Sequence, residues 1–336
     1  MKSACMSLAS KVAAPILGLA LLTSPLAAET VLKASHQFPG GKGDPRDEMV
    51  QIIAREVEKA NVGLKIQIFP GSSLFKPKEQ WNGMVRGVLD MSAFPLDYAS
   101  GQHPEFSATL MPGLVGSYDR AKRLNDSDFM KSIKKIINDD GVVVIADAWL
   151  SGGFASKKNC VKGPDTLKGQ VTRAAGPAFE QMLAAAGASI SSMPSNEIYN
   201  GMQTGVLDAT NTSSASFVSF RLYEQVKCLT APGENTLWFM YEPVLMSKKS
   251  WAKLTKEQQD AIMAGAKKAE EYFDVEGRKT DQEMIDTFKK AGVEVTQMSK
   301  ADYDAWLAVA KESSYKKFAE EVKGGDKLIE SALAVK

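Results

Sequence analysis

Three cysteines, two histidines and a formal charge of +1 in 336 residues exclude several kinds of chemistry at once. With 41 Lys and Arg against 40 Asp and Glu, no whole-chain basic field exists to hold a nucleic acid backbone or an anionic membrane surface. Two scattered histidines and so few thiols offer no metal-ligand spacing, so neither a metal nor a cofactor is expected. The chain has no Gly-x-Ser-x-Gly elbow, His-Glu-x-x-His, Cys-x-x-Cys or phosphate-binding loop, and Gly40-Gly41-Lys42-Gly43 has the spacing of neither a Walker loop nor a dinucleotide fingerprint. Internal repeats and low-complexity stretches are missing too. The one long apolar run, Val12 to Leu22, is far short of the roughly 20 residues that span a bilayer.

That run follows Lys2 and Lys11, and Pro25 breaks it before Leu26-Ala27-Ala28. Basic residues, an apolar stretch and a small-residue exit, in that order, predict a secretion signal over 1–28, cleaved after Ala28. The remaining 308 residues carry 39 basic and 40 acidic side chains and no further apolar run of spanning length, so an exported protein with no membrane anchor is expected. Only Cys160 and Cys228 survive cleavage. In an oxidising compartment such a pair is more often bridged than free, the alternative being two small buried thiols that never meet.

The mature chain alternates short strand and helix signals. Val31–Ser35 leads through Pro39-Gly40-Gly41 into a segment with Met49, Ile53, Val57 and Ala60 on one helical face, and Leu64–Phe69 then alternates apolar with polar. Val88–Ser92, Val142–Ala146, Leu167–Thr172, Ser189–Met193, Val206–Ala209 and Val226–Thr230 continue the strand series, with helical stretches between several of them. Strands separated by helices imply parallel pairing and an α/β fold. No Gly-Ser or Pro-rich linker divides the halves, so ordered crossing segments are expected near Trp149–Phe154 and Trp238–Met246. Thr255 to Gln258 has capping-box spacing, and from there to Lys290 nearly every residue is a helix former, with Ile262, Ala266, Ala269 and Phe273 on one face.

Arg173 is the most informative polar residue. It closes a strand signal just before the small-residue turn Ala174-Ala175-Gly176-Pro177, at the carboxyl end of an α/β strand where ligands sit. Its fork of donors there could grip a carboxylate through two parallel bonds; from periodicity alone a surface salt bridge is as good an account.

The run Asp165-Thr166-Leu167-Lys168-Gly169 through Arg173, followed by Asn196-Glu197-Ile198-Tyr199-Asn200-Gly201-Met202-Gln203-Thr204-Gly205-Val206-Leu207-Asp208, resembles the solute receptors of tripartite ATP-independent periplasmic (TRAP) transporters, the DctP-like family. Phe69-Pro70-Gly71-Ser72-Ser73-Leu74, Val88-Leu89-Asp90-Met91 and Met246 to Leu254 are similar to family landmarks in the same order. The resemblance implies a two-lobed α/β periplasmic binding protein fold with crossing strands and a long helix spanning both lobes. Residues 29–149 with about 239–276 would form lobe I, and 150–238 with about 277–336 lobe II. It also implies a periplasmic receptor, not an enzyme, that delivers a small organic acid to the TRAP permease subunits, with Arg173 on the carboxylate and Asn211 or Thr212 donating beside it; for the oligomeric state, a monomer is the default expectation.

Two departures shape the expected pocket. Gly152-Gly153-Phe154 is followed by Ala155 where many relatives carry an Arg, so a second cationic contact is not expected, and Ser195 and Asn196 replace an aromatic found in sialic acid receptors. A monocarboxylate with an apolar or aromatic body fits. Phe38, Phe94, Tyr98, Trp149, Trp238 and Tyr241 lie at strand ends or on crossing segments, from which they could wall a cleft or pack a core; Trp149 and Trp238 are preferred for the cleft, and Gly153 completes the ligand-binding set. Trp81 and Trp251, at helical positions, are read as structural. Two other functions remain open: a periplasmic enzyme using His36 or His103 with Asp97, or a binding module that feeds a sensor.

Overall fold

The computed structural model describes residues 1, 29–41 and 43–336; apart from Met1, the expected secretion signal lies outside the described residues. In chain order the elements are β1 (Thr30–Ser35), α1 (Pro45–Ala60), β2 (Leu64–Phe69), α2 (Gln80–Arg86), β3 (Met91–Ala93), α3 (Tyr118–Leu124), α4 (Asp128–Asp139), β4 (Val142–Ala146), β5 (Trp149–Ser156), β6 (Val171–Ala174), α5 (Pro177–Ala185), β7 (Ser189–Ser192), α6 (Ile198–Gln203), β8 (Ala209–Ser213), α7 (Ser214–Ser219), β9 (Cys228–Ala231), β10 (Trp238–Tyr241), β11 (Val244–Ser247), α8 (Lys248–Trp251), α9 (Lys256–Lys290), β12 (Glu294–Gln297), α10 (Lys300–Ala310), α11 (Lys316–Glu321) and α12 (Gly325–Leu333). No helix among the described residues is long and apolar enough to cross a membrane.

The strands form two sheets, one per lobe. The first runs β2-β1-β3-β11-β4 and the second β12-β9-β5-β8-β6-β7, with β10 added on β5. β1 and β2 pair in parallel from Thr30↔Leu64 to Ser35↔Phe69, which requires a crossover; α1 supplies it, started by the Asp44 cap and Pro45. Several strand signals are displaced. Gly87, at φ 75°, ends α2 and turns Val88 and Leu89 into the reversal, so β3 begins only at Met91. A helical turn over Pro164–Leu167 likewise delays β6 to Val171.

Among the described residues the chain crosses between the lobes four times, the last time from α10 to α12. β4 passes to β5 through Asp147 and Ala148, β10 returns to β11 through Glu242 and Pro243, and the two passages lie side by side, with Tyr241 opposite Trp149 and the Glu242 N–H donating to the Ala148 carbonyl at 2.8 Å. The third is α9, 35 residues or about 52 Å of helix, begun by the Thr255–Gln258 capping box. Ile262, Ala266, Ala269 and Phe273 pack with Met49, Ile53 and Val57 of α1, while Met284 and Phe288, farther along the same helix, pack with Phe217, Leu222 and Leu229 of the second lobe. One amphipathic helix thus feeds two cores. The chain end departs from the expected division of 277–336 wholly to lobe II: α10 packs Trp306 onto Phe154 there, but α12 returns to α4 and buries Ile329 and Ala332 with Phe129 and Ile133.

Cys160 and Cys228 are bridged across a Cα separation of 5.1 Å, tying the segment after β5 to the first residue of β9. At a sequence separation of 68, loop-closure entropy puts the stabilisation at about 4 kcal/mol.

Candidate functional site

Arg173 is the third residue of β6, held between β7 and β8, and its side chain turns into the seam between the lobes, 1% exposed. Nε donates to the Met193 carbonyl at 2.9 Å, Nη1 to the Asn211 carbonyl at 2.7 Å and Nη2 to the Tyr98 hydroxyl, from the other lobe, at 3.3 Å. All three acceptors are neutral, and two of the five guanidinium N–H groups remain unclaimed among the described residues. Burial lowers the pKa of Arg173, opposed by the Tyr98 hydrogen bond and by the charges of Asp97 and Glu242. A buried cation with free donors and no carboxylate bonded to it can accept an anion.

Tyr98 joins the lobes. Its hydroxyl accepts from Gln37 at the end of β1, from Arg173, and from the Ser195 N–H at 2.9 Å. Beside it, Asp97 bonds Ser100 through one carboxylate oxygen while the other is buried without a partner, pressed against Gly176 at the start of α5. A Cβ at position 176 would sit 1.5 Å from that oxygen, so only glycine fits there in this arrangement of the lobes. Burial raises the Asp97 pKa to about 7; Glu180 adds to the rise, while Ser100, Arg173 and Lys78 oppose it. Because the folded value lies above the ordinary carboxyl range, the associated stability is present in acid and is lost as pH rises through about 7. Asp97→Asn is therefore expected to raise the melting temperature more at pH 8 than at pH 5; an equal shift at both pH values would show that Asp97 does not titrate in this window.

A second buried arginine, absent from the expected set, lies on the same seam. Arg46, in the first turn of α1, donates from Nε and Nη2 to the two oxygens of Asp44 at 2.8 and 2.7 Å, and from Nη1 to Glu242 at 2.8 Å. It also reaches Ser213 and Ser216 of the other lobe at 3.0 and 3.1 Å, and its guanidinium lies 3.7 Å from the centre of the Phe38 ring. Burial pushes the Glu242 pKa up against the pull of Arg46 and Arg173. Burial acts on Asp44 in the same direction, but there the charge and hydrogen bonds of Arg46 prevail and the pKa falls. A cation in the first turn of a helix opposes the helix dipole, and a lone Glu in the apolar run Trp238 to Met246 is equally out of place; both were readable signals of a buried pair.

The structure brings Arg173, Tyr98, Asn211 and Phe38 to the seam. Asn211 and Ser213 share one face of β8, the face that meets Arg46, and alternation puts Thr212 on the other. The Asn211 amide is fully buried, and neither its Nδ2 nor its Oδ1 has a partner among the described residues. Other expected residues serve elsewhere. Trp149 and Tyr241, paired across β5 and β10, point together to the back of the crossing, where Trp149 donates to Asn125 at 2.8 Å and Tyr241 to Asp147, beside a separate cavity of about 310 Å³ that Trp149 helps line. Phe94 packs between Trp81 and Tyr98 and supports the tyrosine from the lobe I core. Trp238 lies in the lobe II core with Phe154 and Ala174. Gly153 is pressed against the Thr230 carbonyl, 2.2 Å from where a Cβ would lie, so its place in the sheet accounts for it. His36 sits 3.1 Å from Asp47, and His103 bonds Asp140 at 2.8 Å, so each histidine faces a carboxylate other than Asp97.

The family model described as bacterial extracellular solute-binding protein, family 7 (DctP), matches residues 40–321. A solute-binding protein of Albidiferax ferrireducens is 40% identical over 320 residues, covering 93% of this chain and 95% of its own. The crystal structure of a TRAP periplasmic solute binding protein from Rhodoferax ferrireducens with bound malonate is 40% identical and superposes with a TM-score of 0.86, over 90% of this chain and 96% of that one. That of DctP7, a Bordetella pertussis extracytoplasmic solute receptor binding pyroglutamic acid, shares the fold with a TM-score of 0.82 at 22% identity, over 90% of this chain and 99% of its own.

Proposed function

The chain belongs to the bacterial extracellular solute-binding proteins of family 7, the DctP-like receptors of TRAP transporters, and from that membership we propose a periplasmic receptor that closes its lobes on a small organic acid and delivers it to a TRAP permease. Arg173 takes the carboxylate, Asn211 bonds the atoms next to it, and Tyr98 and Phe38 contribute from lobe I. The protein works as a monomer. The observation that carries this reading is the Arg173 guanidinium, buried between lobes, bonded only to neutral acceptors and holding two N–H groups in reserve. An anion that fills that place links the lobes, because Tyr98 of one lobe already bonds the arginine of the other. The relatives are receptors, and the histidine–Asp97 pairing on which the enzyme reading depended is not formed, since His36 lies beside Asp47 and His103 bonds Asp140.

A thermal-shift screen of the mature protein against organic acids tests this. A ligand that binds only the folded state raises the melting temperature by mass action, by about 2.7 kcal/mol of stability at a hundred times Kd. At least one small carboxylate is expected to do so, with the corresponding alcohol or amide inactive. Equal shifts from acid and amide would remove Arg173 from the recognition.

A further inference from the structure

The two buried arginines differ in what they can still do. Arg46 has five N–H donors and makes five hydrogen bonds, two to Asp44 and one each to Glu242, Ser213 and Ser216. It has no donor left for a ligand, and two carboxylates already face its single charge. Arg173 has two donors left and no bonded carboxylate. The charges of Arg46 and Arg173 are thus matched by Asp44 and Glu242 before any ligand enters, and Asp97 adds a further carboxyl group beside Arg173. One ligand carboxylate finds one fork; among the described residues a second would meet buried acidic groups and no other buried arginine with a free donor.

The neutral atoms around Arg173 describe the rest of the ligand. Asn211 offers a donor and an acceptor, and Gln37, whose Nε2 is held by Tyr98, leaves Oε1 buried without a partner. An alkyl acid would leave these groups unpaired, whereas a hydroxyl or amide on the ligand would satisfy them.

We propose that the cleft selects a monocarboxylate carrying a neutral hydroxyl or amide group, and that the Asp44–Arg46–Glu242 cluster is the specificity device that excludes dicarboxylates. This rests on the receptor reading above and departs from the apolar body expected from the sequence.

Calorimetry on the mature protein with acids of matched length tests it: simple acids such as propionate, hydroxy acids and a lactam such as lactate and pyroglutamate, and dicarboxylates such as malonate and succinate. The hydroxy or lactam monocarboxylates are expected to bind at least tenfold more tightly than the alkyl acid and a hundredfold more tightly than the dicarboxylate. A dicarboxylate that binds as well as its monocarboxylate counterpart would overturn the proposal while leaving the receptor reading intact. Failure of every acid to bind would instead remove the receptor reading and this proposal with it. Glu242→Gln keeps shape and removes one negative charge, so it is expected to narrow the ratio at least tenfold in favour of the dicarboxylate. Asp97→Asn, which leaves Arg46 untouched, is expected to shift the ratio the same way and serves if Glu242→Gln does not fold. An unchanged ratio in a folded variant of either kind would overturn the role given to these charges.

Discussion

Arg173→Ala is expected to weaken organic acid binding by at least about thirtyfold, the low end of the roughly 2 to 5 kcal/mol seen when one partner of a buried hydrogen-bonded charge pair is removed. The carboxylate would lose its fork and remain in a place already lined by Asp97 and Glu242. Arg173→Lys should recover little. The guanidinium reaches Met193, Asn211 and Tyr98 with three donors and keeps two more in the same plane, a pattern one ammonium on a flexible stem cannot reproduce. The loss should appear in affinity more than in folding, because the groups Arg173 bonds are neutral carbonyls and a phenol, and none becomes an unpaired charge. Calorimetry with the tightest acid of the screen measures it, with thermal unfolding as the control. Near-native affinity in both variants would take Arg173 out of the site and the proposed function with it.

The scaffold was legible where the signal is local. The pattern of Leu64–Phe69 and the apolar run Val142–Ala146 became strands with the expected bounds, and the capping box with the Ile262, Ala266, Ala269, Phe273 face marked a helix whose first half packs on α1. β8 begins at Ala209, where the strand signal Val206–Ala209 ends, because Ala209–Ser213 is mostly polar in sequence yet wholly buried. The aromatic pair Trp149 and Tyr241 shows a different limit. Residues opposite one another on antiparallel strands share a face, so the sequence could pair them, but which face looks into the cleft depends on how the sheets are stacked. Arg46 carries no signal of a binding role in the local sequence beyond its place in a first helical turn. Its burial arises from contacts 167 to 196 residues away, to Ser213, Ser216 and Glu242, and no local pattern encodes a separation of that size.

Arg46→Met is expected to lower stability by about 3 to 5 kcal/mol at neutral pH, the cost of leaving buried charges without their partner, and by less in acid. The substitution keeps the apolar volume over Phe38 but strands Asp44 and Glu242, which share this one cation at 2.7 and 2.8 Å. Without it, burial raises both carboxyl groups above their unfolded values. The stability associated with them is then present below the ordinary carboxyl range and lost as pH rises through the raised folded values, so the deficit is small near pH 4 and complete near neutrality. In the native protein Arg46 holds Asp44 low, so the two proteins should differ in the slope of stability against pH as well as in its size. Arg46→Lys should resemble Arg46→Met, since one ammonium cannot serve two carboxylates and two serines from the same position. Because Ser213 and Ser216 belong to the other lobe, both variants should also populate a more open arrangement, read as a larger radius of gyration in solution scattering. Chemical denaturation at pH 4.5 and 7.5 decides the matter. A deficit of the same size at both would mean that Asp44 and Glu242 do not depend on Arg46 for their charge, and that the seam is held by packing alone.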